Sequence, residues 1–458
     1  MGKPFQRKPY TSEDANTWEK TFGKILTPFE KFVESSTGSG ILLIVLTIVA
    51  MVIANSPWND TYQHFIHEHL VVSFGEWKID LSLHHWVNDA LMAIFFYLVG
   101  LEIKHEMMVG ELSSVRKAAL PIMAAIGGMV VPALIYAVIN YGTDSTAGWG
   151  IPMATDIAFA MAILILLGKR IPHALMTILV ALAIVDDLGA VLVIAIFYTD
   201  NLALVPLFWA LCCFAALMVL NLAGVRQIWP YVAIAMVMWI SMLFSGVHAT
   251  IAGVLGALAT PARSIYNPAE FGRDARKLLD RFDVYRNNDK EFLSSERLNG
   301  ILHTLSTGIN KAQTPLQRLE HGLKSPVYFA IIPLFVLFNA AVAVDMSQMD
   351  VMLRSPVVHG VVAGLVIGKF VGVFGAVYLC VKLNMAALPD GVNYRHVIGI
   401  AMLAGIGFTM SIFISELAFR GNAPHLTEAK IAILTASLIA GIAGYVWLFI
   451  NGKGQAHE

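Results

Sequence analysis

Charge is scarce in this chain. Of its 458 residues only 31 are Lys or Arg and 32 are Asp or Glu, whereas 57% are apolar and the mean hydropathy is +0.68. Soluble globular domains carry roughly a quarter of their residues charged, so this composition excludes that class. The net charge of −1 leaves no basic excess. Nucleic acid is therefore excluded as a partner, because phosphate binding needs Lys and Arg clustered on one face. Cysteine is nearly absent too. Cys212, Cys213 and Cys380 all fall inside apolar runs, without disulfide framework or metal-ligand spacing, and read as small buried hydrophobes. No cofactor is expected.

Long uncharged runs fill the space that charge leaves. They fall near 40–56, 86–103, 118–140, 149–168, 173–198, 202–223, 230–244, 246–260, 325–344, 357–381, 395–418 and 427–450. Each is read as a membrane span, which makes the chain an all-α polytopic membrane protein with about twelve transmembrane helices. Alternate connecting segments hold nearly all the Lys and Arg: six before the first span, Lys104, Arg116 and Lys117 after the second, Lys169 and Arg170 after the fourth, Arg226 after the sixth, eleven in 261–324, then Lys382, Arg395 and Lys453. The opposite set holds only Lys78, Arg354 and Arg420. Cytoplasmic segments carry the excess of Lys and Arg, so both termini are expected in the cytoplasm. The resulting organisation is a cytoplasmic segment 1–36, spans one to eight over 37–260, a cytoplasmic loop 261–324, spans nine to twelve over 325–450 and a tail 451–458. The polar, mixed-charge start is too long and acidic for a signal peptide, so the first apolar run is expected to remain as a span. Within the loop, apolar residues at 292, 293, 298, 301, 302 and 305 describe an amphipathic helix. The external loop 57–85 carries His64, His67, His69, His84 and His85, read as surface histidines because no ligand spacing recurs.

Against this background Asp186 and Asp187 stand out, side by side in the middle of the fifth span. A carboxylate at the bilayer centre costs roughly 2.5 to 3.5 kcal/mol, so a pair there must face a wet cavity and bind or carry something. Asp156 lies in the preceding span and Lys369 in the tenth. Two spans also read poorly as continuous helices. One has Pro152, Thr155 and Asp156 close together, and the other has Gly405, Gly407, Thr409 and Ser411. Interrupted helices in corresponding positions of two halves mark a transporter's binding site, and the span order allows inverted-topology repeats with two broken, crossing helices. A small dehydrated cation suits the oxygen-rich set Asp186, Asp187, Thr155 and Asp156 better than an organic solute. Carboxyls buried side by side hold protons in the range where metal ions compete with them, so such a pair carries either protons or the cation. Lys369 would offset negative charge or carry a proton itself.

The runs MATDIAFA, ALAIVDDLGA, FSGVHATIAGV, VIGKFVG, AGIGFTMSIFIS and LVGLEIKHEMMVGEL resemble the NhaA family of bacterial sodium/proton antiporters, over about residues 30 to 450. The resemblance implies a multi-pass transporter of the inner membrane, not an enzyme. It would extrude sodium, and usually lithium, against entering protons, electrogenically and under pH regulation, as a homodimer. It also implies that Asp186 and Asp187 are the ion-binding pair, that Asp156 and Thr155 belong to the broken helix and that Lys369 is the intramembrane lysine. Glu102, Glu106, Glu320 and His248 resemble residues of the family's pH response. Two departures bear on that response: His105, where the family often has arginine, and the long segment ahead of Pro315.

Other readings of the same residues remain. Glu102, Glu106, Glu320 and His321 lie near the inner interface, where charged side chains commonly snorkel to water. Asp89 reads as a cap or interfacial group. His248 and His359 read as hydrogen-bonded polar residues between helices, and Asn339 as an interhelical hydrogen-bonder near the site. A sodium-coupled organic-anion symporter on a similar scaffold is the nearest rival function. An intramembrane aspartyl protease would want its two aspartates on different helices, and a receptor would work through the 261–324 loop.

Overall fold

The computed structural model describes residues 36–75, 77–199, 202–264, 268–288, 296–343, 347 and 349–452. Nearly all of the expected 1–36 segment, positions 292 and 293 of the expected amphipathic helix and most of the 451–458 tail lie outside them.

In hydrocarbon every backbone N–H and C=O must find a partner within the protein, which leaves helices or closed barrels as the ways across. This chain uses helices. They are α1 (Ser36–Ala54), α2 (Leu83–Met108), α3 (Val115–Ile139), α4 (Ile157–Leu167), α5 (His173–Phe197), α6 (Leu204–Leu222), α7 (Ile228–Leu243) and α8 (Ile251–Ala259). After the loop pair α9 (Pro268–Asn288) and α10 (Glu296–Ala312) come α11 (Pro315–Asn339), α12 (Pro356–Lys382), α13 (Tyr394–Leu403), α14 (Phe408–Ala418) and α15 (Ala423–Asn451). Among the described residues, eight helical segments are long and apolar enough to cross a membrane, or ten when each of two bent pairs counts as one span. The remaining two of the twelve expected segments are short: α7 has 16 residues and α8 only 9.

Both expected interruptions are present. Thr146–Met153 winds as a tight three-residue-per-turn helix, the chain then runs extended through Ala154, and α4 starts at Ile157. Between α13 and α14 the axis bends by 44° across residues 404–407. A feature not expected is a two-stranded antiparallel hairpin, β1 (His69–Phe74) and β2 (Trp77–Ser82), in register from His69↔Ser82 to Phe74↔Trp77. Its Asp80 carboxylate bonds Lys78 Nζ at 2.8 Å and His69 Nδ1 at 2.7 Å, and these two partners hold it below the usual carboxylate range. The loop holds two helices packed on each other rather than one.

Packing places the site. α3 and α12 cross so closely that a Cβ on Gly127 would lie 2.2 Å from Gly372 O, and one on Gly372 only 2.1 Å from Gly127 O. Small residues allow such backbone contact between membrane helices, where apolar surface alone gives little drive to associate. This contact holds Lys369, one turn before Gly372, in the interior. α1 lies against α4 and α11, α2 against α8, and α15 against α12, α13 and α14. α6 and α7 form a separate small apolar cluster around Leu217, Tyr231 and Met238.

Candidate ion-binding site

The two interruptions meet and complete each other's backbone. Asp156 N–H donates to Ile406 O at 2.6 Å, Thr155 Oγ1 to Ala404 O at 2.9 Å, and Ser411 Oγ to Ile151 O at 2.8 Å. The Asp156 carboxylate caps both half-helices. Oδ1 accepts from Phe159 N–H at 3.1 Å in the first turn of α4, while Oδ2 accepts from Thr409 N–H at 3.0 Å and Thr409 Oγ1 at 2.5 Å at the start of α14. Ser437 of α15 accepts from Phe408 N–H at 3.2 Å. Helix N-termini carry unsatisfied donors and partial positive charge, so one carboxylate between two of them is well placed. Asp156 is thereby occupied.

Asp186 and Asp187 are both buried on α5. Neighbours on a helix point about 100° apart. Asp186 Oδ2 lies 2.5 Å from Lys369 Nζ, with no exposure of either side chain, and Thr155 sits beside it. Asp187 follows Val180 and Ile184 at helical spacing, so the three share a face. Oδ1 of each aspartate is buried without a hydrogen-bond partner among the described residues. An unpaired carboxylate oxygen in the interior is costly and calls for an occupant, a proton or a cation.

That α5 face opens into a cavity of about 710 Å³, lined by Val180, Ile184, Ile157, Ala158 and Tyr328 near the carboxylates and by Glu102, His105, Glu106, Glu320 and Lys324 toward the loop. Its mouth is a chain of charges. Lys324 Nζ lies 2.7 Å from Glu320 Oε1 and 3.5 Å from Glu102 Oε1, and His105 Nδ1 lies 2.8 Å from Glu320 Oε2. Glu106 accepts from Glu111 N–H at 2.8 Å. Lys104 steadies this end of α2 by donating to Leu258 O and Thr260 O at the end of α8.

A second cavity, about 290 Å³, lies on the hairpin side, lined by His84, Asn88, Asp89, His248, Phe413 and Glu416 among others. Here the structure places four of the residues singled out in the sequence. His248 is not with the other three candidates for pH response: its Nε2 lies 3.5 Å from Asp89 Oδ1, on the opposite cavity. Asp89, read as a cap or interfacial group, is instead buried and paired with His248. Asn339 is the interhelical hydrogen-bonder expected, joined to Asn88 and His84 beside this cavity, whereas His359, expected as a hydrogen-bonded residue between helices, is exposed. Of the loop histidines, His69 and His85 have partners of their own in Asp80 and Ser82. Among the described residues no group of three or more His, Cys, Asp and Glu is arranged to hold a resident metal. Sequence reasoning missed Tyr328, Phe413, Glu416, Lys430 and Ser437. For Glu416 and Lys430 a signal existed, a charge within an apolar span.

A model of the family described as Na+/H+ antiporter 1 matches residues 30–448. The Na(+)/H(+) antiporter NhaA of Dichelobacter nodosus is 57% identical over 453 residues, covering 99% of this chain and 98% of its own. That of Sulfurimonas denitrificans is 50% identical over 436 residues, 95% and 98% of the two chains. Na(+)/H(+) antiporter NhaA 1 of Saccharophagus degradans is 48% identical over 431 residues, 94% and 93%. A match across nearly the whole length of both partners, with the two interruptions stitched together beside a buried carboxylate pair, shows that the chain belongs to the Na+/H+ antiporter 1 family.

Proposed function

We propose that the protein exchanges sodium, and lithium, for protons across a bacterial inner membrane, with Asp186 and Asp187 as the shared binding pair. The observation that carries this reading is the contrast between the two aspartates: Asp186 is tied to Lys369, while Asp187 shares the face of α5 that opens into the 710 Å³ cavity. A sodium ion arriving through that cavity would meet oxygen ligands from Asp187, Asp186 and Thr155, as a hard cation requires. Binding it displaces the proton of Asp187 and frees Lys369 from Asp186, so Lys369 can give up a proton as well. Release of more protons than sodium ions taken up makes the cycle electrogenic. One net charge crossing 100 mV is worth about 2.3 kcal/mol, so the membrane potential drives sodium outward.

The orientation follows from the charge asymmetry of the connecting segments: 1–36, 261–324 and 451–458 in the cytoplasm and the hairpin outside. The 710 Å³ cavity is then the cytoplasmic entrance, and the Glu102–Lys324–Glu320–His105 chain at its mouth, with Glu106, is where pH acts on transport. The same reading takes the protein as a homodimer.

The test is sodium-induced loss of a preformed pH gradient in vesicles containing the protein. Gradient collapse that Asp187→Asn abolishes, and that an imposed potential accelerates, supports electrogenic antiport at this pair. A sodium response requiring an organic anion would replace it with symport.

A further inference from the structure

Residues 409, 413, 416 and 420 recur every three or four positions, so they share one face of α14 and the turn that ends it. That face leads from the carboxylates to the hairpin side. Thr409 bonds Asp156, and the fully buried Phe413 follows, packed on Phe96 at 5.6 Å, Phe335 at 6.2 Å and His248 at 5.3 Å between ring centroids. Beyond it Glu416 and Arg420 line the 290 Å³ cavity.

Glu416 is built much like Asp186. Lys430 Nζ from α15 lies 2.5 Å from its Oε1, with the two side chains only 11% and 13% exposed. The central pair, Lys369 and Asp186, is separated by the same 2.5 Å. Around Glu416 the other charged and titratable groups are Arg420 on its own helix, His84 at 3.7 Å, and His85, Asp89 and His248 across the cavity. Asp89 and His248 pair with each other, whereas His84 also reaches Asn339 Oδ1 at 3.0 Å. A buried ion pair is weak evidence for a stabilising role, because an apolar pair of similar volume commonly serves stability as well or better. Its position on the transport face of α14 offers a different reason for it.

We propose that Glu416 is a second cation station, on the hairpin side of Phe413, and that Lys430 is a tethered competitor for it. The inference rests on the antiport reading and deepens it. A sodium ion leaving the central pair would replace the Lys430 ammonium on the Glu416 carboxylate before passing outside. The returning ammonium then expels it. A conduction site must bind well enough to be entered and weakly enough to be left, and a built-in competing cation supplies that weakness.

The two substitutions therefore act in opposite directions, which a merely structural ion pair would not do. Sodium-driven proton movement is measured in vesicles of both orientations, giving an apparent KM for sodium on each face. Glu416→Gln raises the hairpin-side KM by about fivefold or more, and Lys430→Met lowers it by a similar factor, with the loop-side KM unmoved by either. Glu416→Gln with Lys430→Met together behaves as Glu416→Gln alone. Equal changes on both faces, or the same direction for both single variants, would overturn the inference while leaving antiport intact. Should Glu416→Gln fail to reach the membrane, Lys430→Met decides: an unchanged or raised hairpin-side KM overturns it, a lowered one supports it. No exchange by the unaltered protein from either face would overturn the antiport reading and this inference with it.

Discussion

The loop-side and hairpin-side cavities use the same materials, carboxylates, lysines and histidines at the ends of apolar helices, yet they end differently. On the loop side the cavity of about 710 Å³ reaches Ile157, Ala158 and Ile184, one or two residues from Asp156 and Asp186 in the chain. On the hairpin side the cavity of about 290 Å³ stops at Phe413, which has no exposed surface. One cavity reaches residues beside the carboxylates in the chain, and the other ends at a cluster of aromatic rings. Alternating access needs this inequality, because a site open to both faces would leak the gradient it exploits. Packing closes the hairpin side, where the ring contacts of Phe413 carry no ion, whereas the loop-side mouth is lined by the ion pairs of Lys324 with Glu320 and Glu102.

Five substitutions would break or sharpen that contrast. The largest effect is expected from Asp187→Asn, which removes the carboxylate proposed to exchange protons and should reduce sodium-driven proton movement in vesicles at least about 100-fold. Gly127→Val acts on assembly rather than on transport. A Cβ 2.2 Å from Gly372 O forces α3 and α12 apart, so the yield of detergent-stable monodisperse protein in size-exclusion chromatography should fall several-fold, as expected for overpacking at a tight helix contact. Thr409→Ala removes one hydroxyl bond to Asp156 while the backbone N–H remains. Loss of a charge-assisted bond is worth about 1.5–3 kcal/mol, so exchange rate should drop roughly 10- to 100-fold, with Thr409→Ser retaining most of it. Phe413→Ala erases the aromatic seal. The steady-state pH gradient that vesicles sustain against sodium should then fall by about half while initial rates change little, a coupling defect caused by the cavity left behind. The smallest change is expected from Lys324→Met. Without the ammonium beside Glu102 and Glu320 the mouth is more negative and draws cations in, so the apparent KM for sodium on the loop side should fall by about twofold, read from sodium-driven proton movement.

The sequence made the ionisable core legible because charge inside a 20-residue apolar run is expensive whatever surrounds it. Asp186, Asp187, Asp156 and Lys369 could be singled out without knowing a single contact. The two interruptions were legible for a related reason. Pro152, Gly405 and Gly407 are residues that continuous helices avoid. What could not be read was who faces whom. That Asp156 spends its oxygens on Phe159 and Thr409, leaving Asp187 on the cavity face, depends on a pairing 253 residues apart. The hairpin His69–Ser82 escaped notice because its strands have six residues each and sit among polar loop residues. Three over-wide turns were equally invisible. One ends at Lys369, whose N–H bonds Gly364 O five residues back, and the others occupy Trp86–Leu91 and Val327–Ile331, holding Asn88, Asp89 and Tyr328 at the two cavities. Such turns are set by neighbouring helices and recur at functional sites. Glu416 and Lys430 were passed over because they stand within a turn or two of span ends, where a charge ordinarily reaches water.

Competition of sodium and protons for the same carboxylates is tested most directly by calorimetric titration of the purified protein with sodium in buffers of different ionisation enthalpy. Binding should release more than one proton per sodium ion, as cation ligation by protonated groups requires, and both the heat and the proton release should vanish in Asp187→Asn. Sodium binding with no proton release, or binding undiminished in Asp187→Asn, would contradict it.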